Sequence, residues 1–225
     1  MNFFKKNKYQ LIKKAVSYEV VNFIFNYFLL KREAVNYMYK NNIIVDNISS
    51  KLFGTWKDPL VQNVYSNYAD FAMETLLITV MPIINKETNL DLIPTYSYAR
   101  VYEKGSILKR HKDRPSCEIS TTLNLGGDPW AIYLEPNASQ GDVDEKTGNY
   151  KPSKAKGVKV MLEPGDMLVY SGSELEHWRE EFTGNICAQV FLHYNTLKGQ
   201  FKDNNLYDKR PMLGLPFQLR KNYPY

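Results

Sequence analysis

The stretch TYSYARVYEKGSILKRHKDRPSCEISTTLNLGG, Thr95 to Gly127, decides how the chain is read. Its first and last thirds alternate with a period of two, the pattern of β-strands with one face buried. Between them, after a Gly-containing turn, stand His111 and Asp113. On a strand or at its end, residues i and i+2 point to the same side, so this imidazole and this carboxylate can meet one metal ion. The chain has only 3 histidines, which gives the position weight.

The alternation continues downstream. AIYLEP, VKVMLEPGDMLVYSG and NICAQVFLHYN are further strands, separated by Gly, Pro, Asn and Asp. Upstream the period is that of helices. In AVSYEVVNFIFNYFLLKREAVNYMYK the residues Val16, Val20, Ile24, Tyr27, Phe28, Val35 and Met38 form one apolar stripe. A second helix is predicted from Asp58 as N-cap and Pro59 at the first position, through Val61, Val64, Tyr68, Phe71, Leu76 and Val80, with Pro82 ending or kinking it. Helices followed by a run of short strands predict an α+β fold, with helices buttressing a jelly roll. We expect a single domain over 1–225: a helical buttress at 1–90, a β core at 91–198, and a tail at 199–225 that packs back on the core. Asn137 to Gly157 has almost no large apolar residues and reads as a long hairpin loop or lid.

Composition narrows the rest. The 225 residues carry 44% hydrophobic and 24% charged residues, ordinary for a water-soluble globular chain, and a net charge of +5. No dense basic run with interleaved aromatics tracks a nucleic acid, which argues against such a partner. Val20 to Leu30 is too short and too polar to span a bilayer, so no membrane association is expected. Cys117 and Cys187 make neither a disulfide framework nor a zinc pattern and read as buried apolar groups in a cytoplasmic protein. There is no Gly-rich phosphate loop and no nucleophile elbow.

A third ligand for a metal at His111 and Asp113 is available in PGDMLVYSGSELEHWRE. A strand, Met167 to Tyr170, runs into a turn at Ser171 to Glu174 and then His177. Two histidines and one carboxylate on one face of an octahedral metal leave the opposite face open, the arrangement of non-heme Fe(II) oxygenases.

From Tyr96 to Asn195 the chain resembles the Fe(II)/2-oxoglutarate-dependent dioxygenases, in particular the prolyl-4-hydroxylase-like branch. The motifs are ARVYEKGSILKRHKD, SCEISTTLNL, EPGDMLVYSGSELEHW and AQVFLHY. The resemblance implies a double-stranded β-helix with His111, Asp113 and His177 as catalytic metal ligands for Fe(II). It implies 2-oxoglutarate and O2 as co-substrates, and hydroxylation of a peptidyl, prolyl-like residue or a small molecule with release of succinate and CO2. Tyr102 lies close to where the family places a tyrosine that hydrogen-bonds the co-substrate.

One departure stands out. The family anchors the distal carboxylate of 2-oxoglutarate with Arg or Lys on the strand after the distal histidine. Here that region offers Ile186, Cys187 and Ala188, and alignment through VFLHY places Asn185 at the anchor. A buried carboxylate needs a cation or several donors. Arg179, Arg100, Arg114, Gln189 and His193 are the candidates, and we expect a guanidinium to reach the pocket. Two other readings stay open: a non-catalytic metal-binding or interaction module on an oxygenase-like scaffold, and a cupin-like metal-dependent isomerase.

Overall fold

A computed structural model of the chain describes residues 2–43, 52–62, 64–144, 147–201 and 205–221. The remaining positions of the stretches read above as helix, loop and tail lie outside the described residues. Among the described residues the main helices are α1 (Phe3–Asn7), α2 (Tyr18–Lys40) and α3 (Phe71–Thr88). Twelve strands follow the period-two pattern: β1 (Tyr9–Ile12), β2 (Tyr65–Tyr68), β3 (Leu92–Glu103), β4 (Leu108–His111), β5 (Ile119–Gly127), β6 (Ile132–Leu134), β7 (Asp142–Val143), β8 (Tyr150–Lys151), β9 (Val158–Val160), β10 (Met167–Tyr170), β11 (His177–Arg179) and β12 (Ile186–Thr196).

The strands form an antiparallel six-stranded sheet, ordered β1-β10-β5-β12-β3-β2, a four-stranded sheet, β4-β11-β6-β9, and a separate β7-β8 pair. Alternation sorts their side chains. On β3 and β12, Ala99, Val101, Ala188, Val190, Leu192 and Tyr194 join Phe28, Met73, Leu77, Val80 and Ile84 of the helices in one core. Each such large apolar side chain contributes about 1.5–3 kcal/mol by leaving water. The opposite parity, Tyr102, Cys187 and Phe191, packs with Leu108, Trp130 and Phe182 between the sheets. The result is the expected α+β architecture, a double-stranded β-helix with α2 and α3 on the outer face of its larger sheet.

Three readings are corrected. The stretch read as helical buttress also supplies both edge strands of the large sheet, β1 and β2. The helix expected from Asp58 begins instead at Phe71, where Asp70 accepts from the amides of Ala72 and Met73 at 2.9 and 3.2 Å. Asp58 does accept from Leu60 and Val61 amides, as a cap would. Its other oxygen is held by Arg100 at 2.7 Å and the Tyr98 hydroxyl at 2.8 Å, and Tyr65–Tyr68 pairs with β3 rather than continuing a helix. α3 runs through Pro82 to an Asn89 cap in the left-handed region, and the carbonyl that Pro82 leaves free belongs to solvent-facing Ile78. On α2 the core face is Val21, Ile24, Phe28 and Val35, and Val20 points to solvent.

The tail lies against the body. Arg210 pairs with Glu74 of α3 at 2.7 Å, both side chains being buried. Asp208 accepts two bonds from Arg114 at 2.7 and 2.8 Å and one from the Tyr68 hydroxyl at 2.7 Å.

Candidate active site

The antiparallel pairing of β4 with β11 sets His111 directly opposite His177. Asp113 follows β4, and its amide is fixed by the Gly172 carbonyl at 2.9 Å. The Nε2 atoms of both histidines lie 3.6 Å from Oδ1 of Asp113. Cis donors on a metal with bonds of about 2.1 Å stand about 3 Å apart, so a small contraction onto an ion closes the set. Each histidine gives its Nδ1 to a carbonyl two residues back, Lys109 at 2.7 Å and Leu175 at 3.0 Å. With Nδ1 carrying the proton, Nε2 presents its lone pair, the arrangement metal-binding histidines use.

Electrostatics agrees with a site built to hold positive charge. Burial would raise the Asp113 carboxyl, but His177, His111 and His193 together hold it well below the usual carboxylate range. Burial and the neighbouring His177 bring His111 down to about 4. His177 is opposed by burial but raised overall by Asp113.

These ligands open onto a cavity of about 390 Å³ whose walls include Tyr96, Tyr98, Arg100, Leu108, Tyr170 and Phe191. His193 lines it too, so all three histidines of the chain meet here. Pro59, Tyr96, Tyr98 and Arg114 also wall a second cavity of about 440 Å³ that continues past Tyr68 and Phe217.

Deeper between the sheets lies Arg179. Its Nη1 donates to the Trp130 carbonyl at 2.7 Å and its Nη2 to Thr122 Oγ1 at 3.2 Å. Its Nε is buried with no hydrogen-bond partner, and no carboxylate pairs with it among the described residues. Burial accordingly pulls its pKa down. Gln189 lies alongside: Thr122 donates to its amide oxygen at 3.2 Å, and its nitrogen donates to Asn124 at 3.1 Å. Tyr102 is fully buried with its hydroxyl 3.4 Å from Arg100 Nη1. A buried guanidinium with an unused donor fits an incoming carboxylate.

The expected position of Asn185 is corrected. It is exposed and precedes β12, with its amide held by Asp128 at 2.6 Å. The inward positions of that strand are Cys187, Gln189, Phe191 and His193. Arg114 is committed to Asp208, and Arg100, which does line the cavity, is paired with Asp58. The sequence reading missed Ser120, which donates to Asp113 Oδ2 at 2.6 Å, and Thr122. Both share a face of β5, a regularity that the alternation in EISTTLNL carried. It also missed Glu176. This buried carboxylate receives Tyr150 and Ser153 of the 137–157 loop and Arg110, and so ties that loop to the residues preceding both histidines.

No protein-family model and no curated protein matches the chain. Solved structures do. The non-heme alpha-ketoglutarate-dependent carbocyclase SnoK from nogalamycin biosynthesis aligns at TM-score 0.59 and 13% identity, over 95% of this chain and 93% of that one. HygX from Streptomyces hygroscopicus, with nickel and 2-oxoglutarate bound, aligns at 0.51 and 13%, over 85% and 84%. The viral collagen prolyl hydroxylase of Paramecium bursaria Chlorella virus-1 aligns at 0.50 and 10%, over 86% and 98%. The chain thus has the double-stranded β-helix fold of non-heme iron, 2-oxoglutarate-dependent oxygenases. At these identities the likeness is one of fold.

Proposed function

We propose that the protein is an Fe(II)/2-oxoglutarate-dependent oxygenase that hydroxylates a peptide-like or small-molecule substrate. The observation that carries this is the triad: two Nε2 atoms 3.6 Å from one carboxylate oxygen, at the wall of a cavity of about 390 Å³. His111, Asp113 and His177 would hold the metal. When bound, iron with 2-oxoglutarate and O2 supplies the oxidising power for C–H hydroxylation, with succinate and CO2 as co-products.

The residues have separate tasks in this reading. Arg179 receives the distal carboxylate of 2-oxoglutarate, and its orphaned Nε supports this. Thr122 and Gln189 form one hydrogen-bonded cluster with that guanidinium, between the sheets and behind the cavity wall. Leu108, Tyr170 and Phe191 exclude water. A substrate enters where the two cavities meet at Tyr96, Tyr98 and Arg114, which gives room for a molecule longer than the first cavity alone. Arg100 is a second reading for the anchor, favoured by its place in the cavity wall, although Asp58 already neutralises it. The two buried free thiols suit a reducing compartment such as the cytoplasm. Among the described residues no helix is long and apolar enough to cross a membrane.

Anaerobic titration of the apo-protein with Fe(II) and then 2-oxoglutarate tests the proposal. A saturable visible charge-transfer band, followed by succinate release on admitting O2, is expected. Metal binding with no band would leave the non-catalytic metal module or the isomerase.

A further inference from the structure

We infer that Ser120 and His193 are positioning residues that hold Asp113 to a single metal-facing oxygen. This rests on the metal-site reading above and goes beyond it. The two oxygens of Asp113 face different groups: Oδ1 lies 3.6 Å from each ligating Nε2, and Oδ2 lies 2.6 Å from Ser120 Oγ.

A hydroxyl has one proton to give, and a carboxylate only accepts. The alternative acceptors for Ser120 are the Cys117 carbonyl at 3.2 Å and His193 Nδ1 at 3.0 Å, both longer and uncharged against the carboxylate at 2.6 Å. The proton therefore goes to Asp113. His193 Nδ1 lies 3.0 Å from the same Oγ, so it must be the N–H donor there. The His193 ring is held in that orientation by Tyr96, 4.5 Å away between centroids. The chain runs His193 Nδ1–H to Ser120 Oγ–H to Asp113 Oδ2. An oxygen so occupied does not turn to the metal, and the carboxylate takes one coordination position instead of two.

The backbone leaves room for this bond. A Cβ on Gly172 would stand 2.3 Å from Ser120 Oγ and 2.5 Å from Asp113 Oδ2. Asp113, Cys117 and His193 also have the mutual spacing of a second metal group. The Ser120 hydroxyl already joins the first of these to the last, which makes the cluster a closed hydrogen-bond chain.

The test is Co(II) affinity, by competition with a chelator, and the visible absorption of the Co(II) protein. It compares wild type, Ser120→Ala, Ser120→Thr, His193→Phe and His193→Asn. Ser120→Ala and His193→Phe should each weaken binding about 10–100-fold and alter the spectrum, as loss of an outer partner of a metal ligand does. The double variant should be no worse than the weaker-binding single, since both cut one chain. Ser120→Thr keeps the hydroxyl and His193→Asn keeps a donor, so both should stay near wild type. Wild-type affinity and spectrum in Ser120→Ala and His193→Phe would overturn the inference, as would fully additive losses. Should Ser120→Ala not fold, His193→Phe against His193→Asn decides. Wild-type protein that binds no Co(II) overturns both this inference and the proposed function. Metal binding without a 2-oxoglutarate band overturns only the latter.

Discussion

Arg179 donates to the carbonyl oxygen of Trp130 at 2.7 Å and lies over the indole of the same residue at 5.0 Å. One residue thus fixes both the plane and the direction of the guanidinium, and leaves Nε spare. Arg179→Gln should weaken 2-oxoglutarate binding by about 2–5 kcal/mol, the range for truncating one partner of a buried charge pair. Fe(II) affinity should hold. The charge-transfer titration reads both, and an unchanged 2-oxoglutarate affinity would transfer the anchor role to Arg100.

Replacing any one triad ligand should remove the site without removing the fold. His111→Ala and Asp113→Ala are expected to lose Fe(II) binding and the co-substrate band, with an unchanged far-ultraviolet circular dichroism spectrum. Undiminished succinate production in either variant would refute the ligand assignment.

Gly172→Ala should act on the metal through Asp113. The added methyl meets Ser120 Oγ, Asp113 Oδ2 and the Cys117 carbonyl, all closer than a real Cβ tolerates. We expect Co(II) affinity to fall at least as far as in Ser120→Ala, measured by the same competition.

Arg210→Ala should destabilise the protein by about 3–5 kcal/mol, because it strands Glu74 as a buried, unpaired carboxylate. Chemical denaturation measures this directly. A loss below about 1 kcal/mol, the value of an exposed pair, would mean that the tail does not rest on α3 in solution.

The tail should also loosen in acid. Burial raises Asp208, but the two bonds from Arg114 and the Tyr68 hydroxyl outweigh it, so its carboxyl lies below the usual value of 3.8. A carboxyl whose folded pKa is depressed contributes stability that is fully present above its unfolded pKa. That contribution is lost as pH falls through the folded value. The hydrogen-exchange protection of residues 205–221, taken relative to the intrinsic rate at each pH, should therefore be high at neutral pH and fall below about pH 4. Asp208→Asn should lack this acid limb, and the same limb in that variant would rule out Asp208 as its source.

The core of the site was legible because its signals are local. His111 and Asp113 stand at spacing two, and Gln189 and His193 stand an even number of residues apart on one strand, which puts them on one face. What was not legible depends on partners distant in sequence. Asp58 has the residue type and hydrogen bonds of a helix cap, and only Arg100, brought in by β3, shows why no helix follows. Asn185 has the inward parity, but β12 begins only at Ile186, so the residue lies on the exposed approach to the strand and not in the barrel. Ser120 looked like any polar strand residue until Asp113 and His193 arrived on either side of it. Arg179 was one of several anchor candidates, and only the fold shows that it turns inward while Glu180 and Glu181 beside it stay exposed.

His111 and His177 are opposite one another on β4 and β11, with β5 to β10 lying between them in the chain. During synthesis on the ribosome, His111 and Asp113 emerge while most of the barrel is still unmade. The third ligand arrives only with β11, and it meets the others only when β11 has zipped onto β4. On the proposed ligand assignment the nascent chain therefore offers no complete nest for an ion until β11 has emerged. A complete site forms only as the smaller sheet closes, so metal affinity and the pairing of β11 on β4 should rise together.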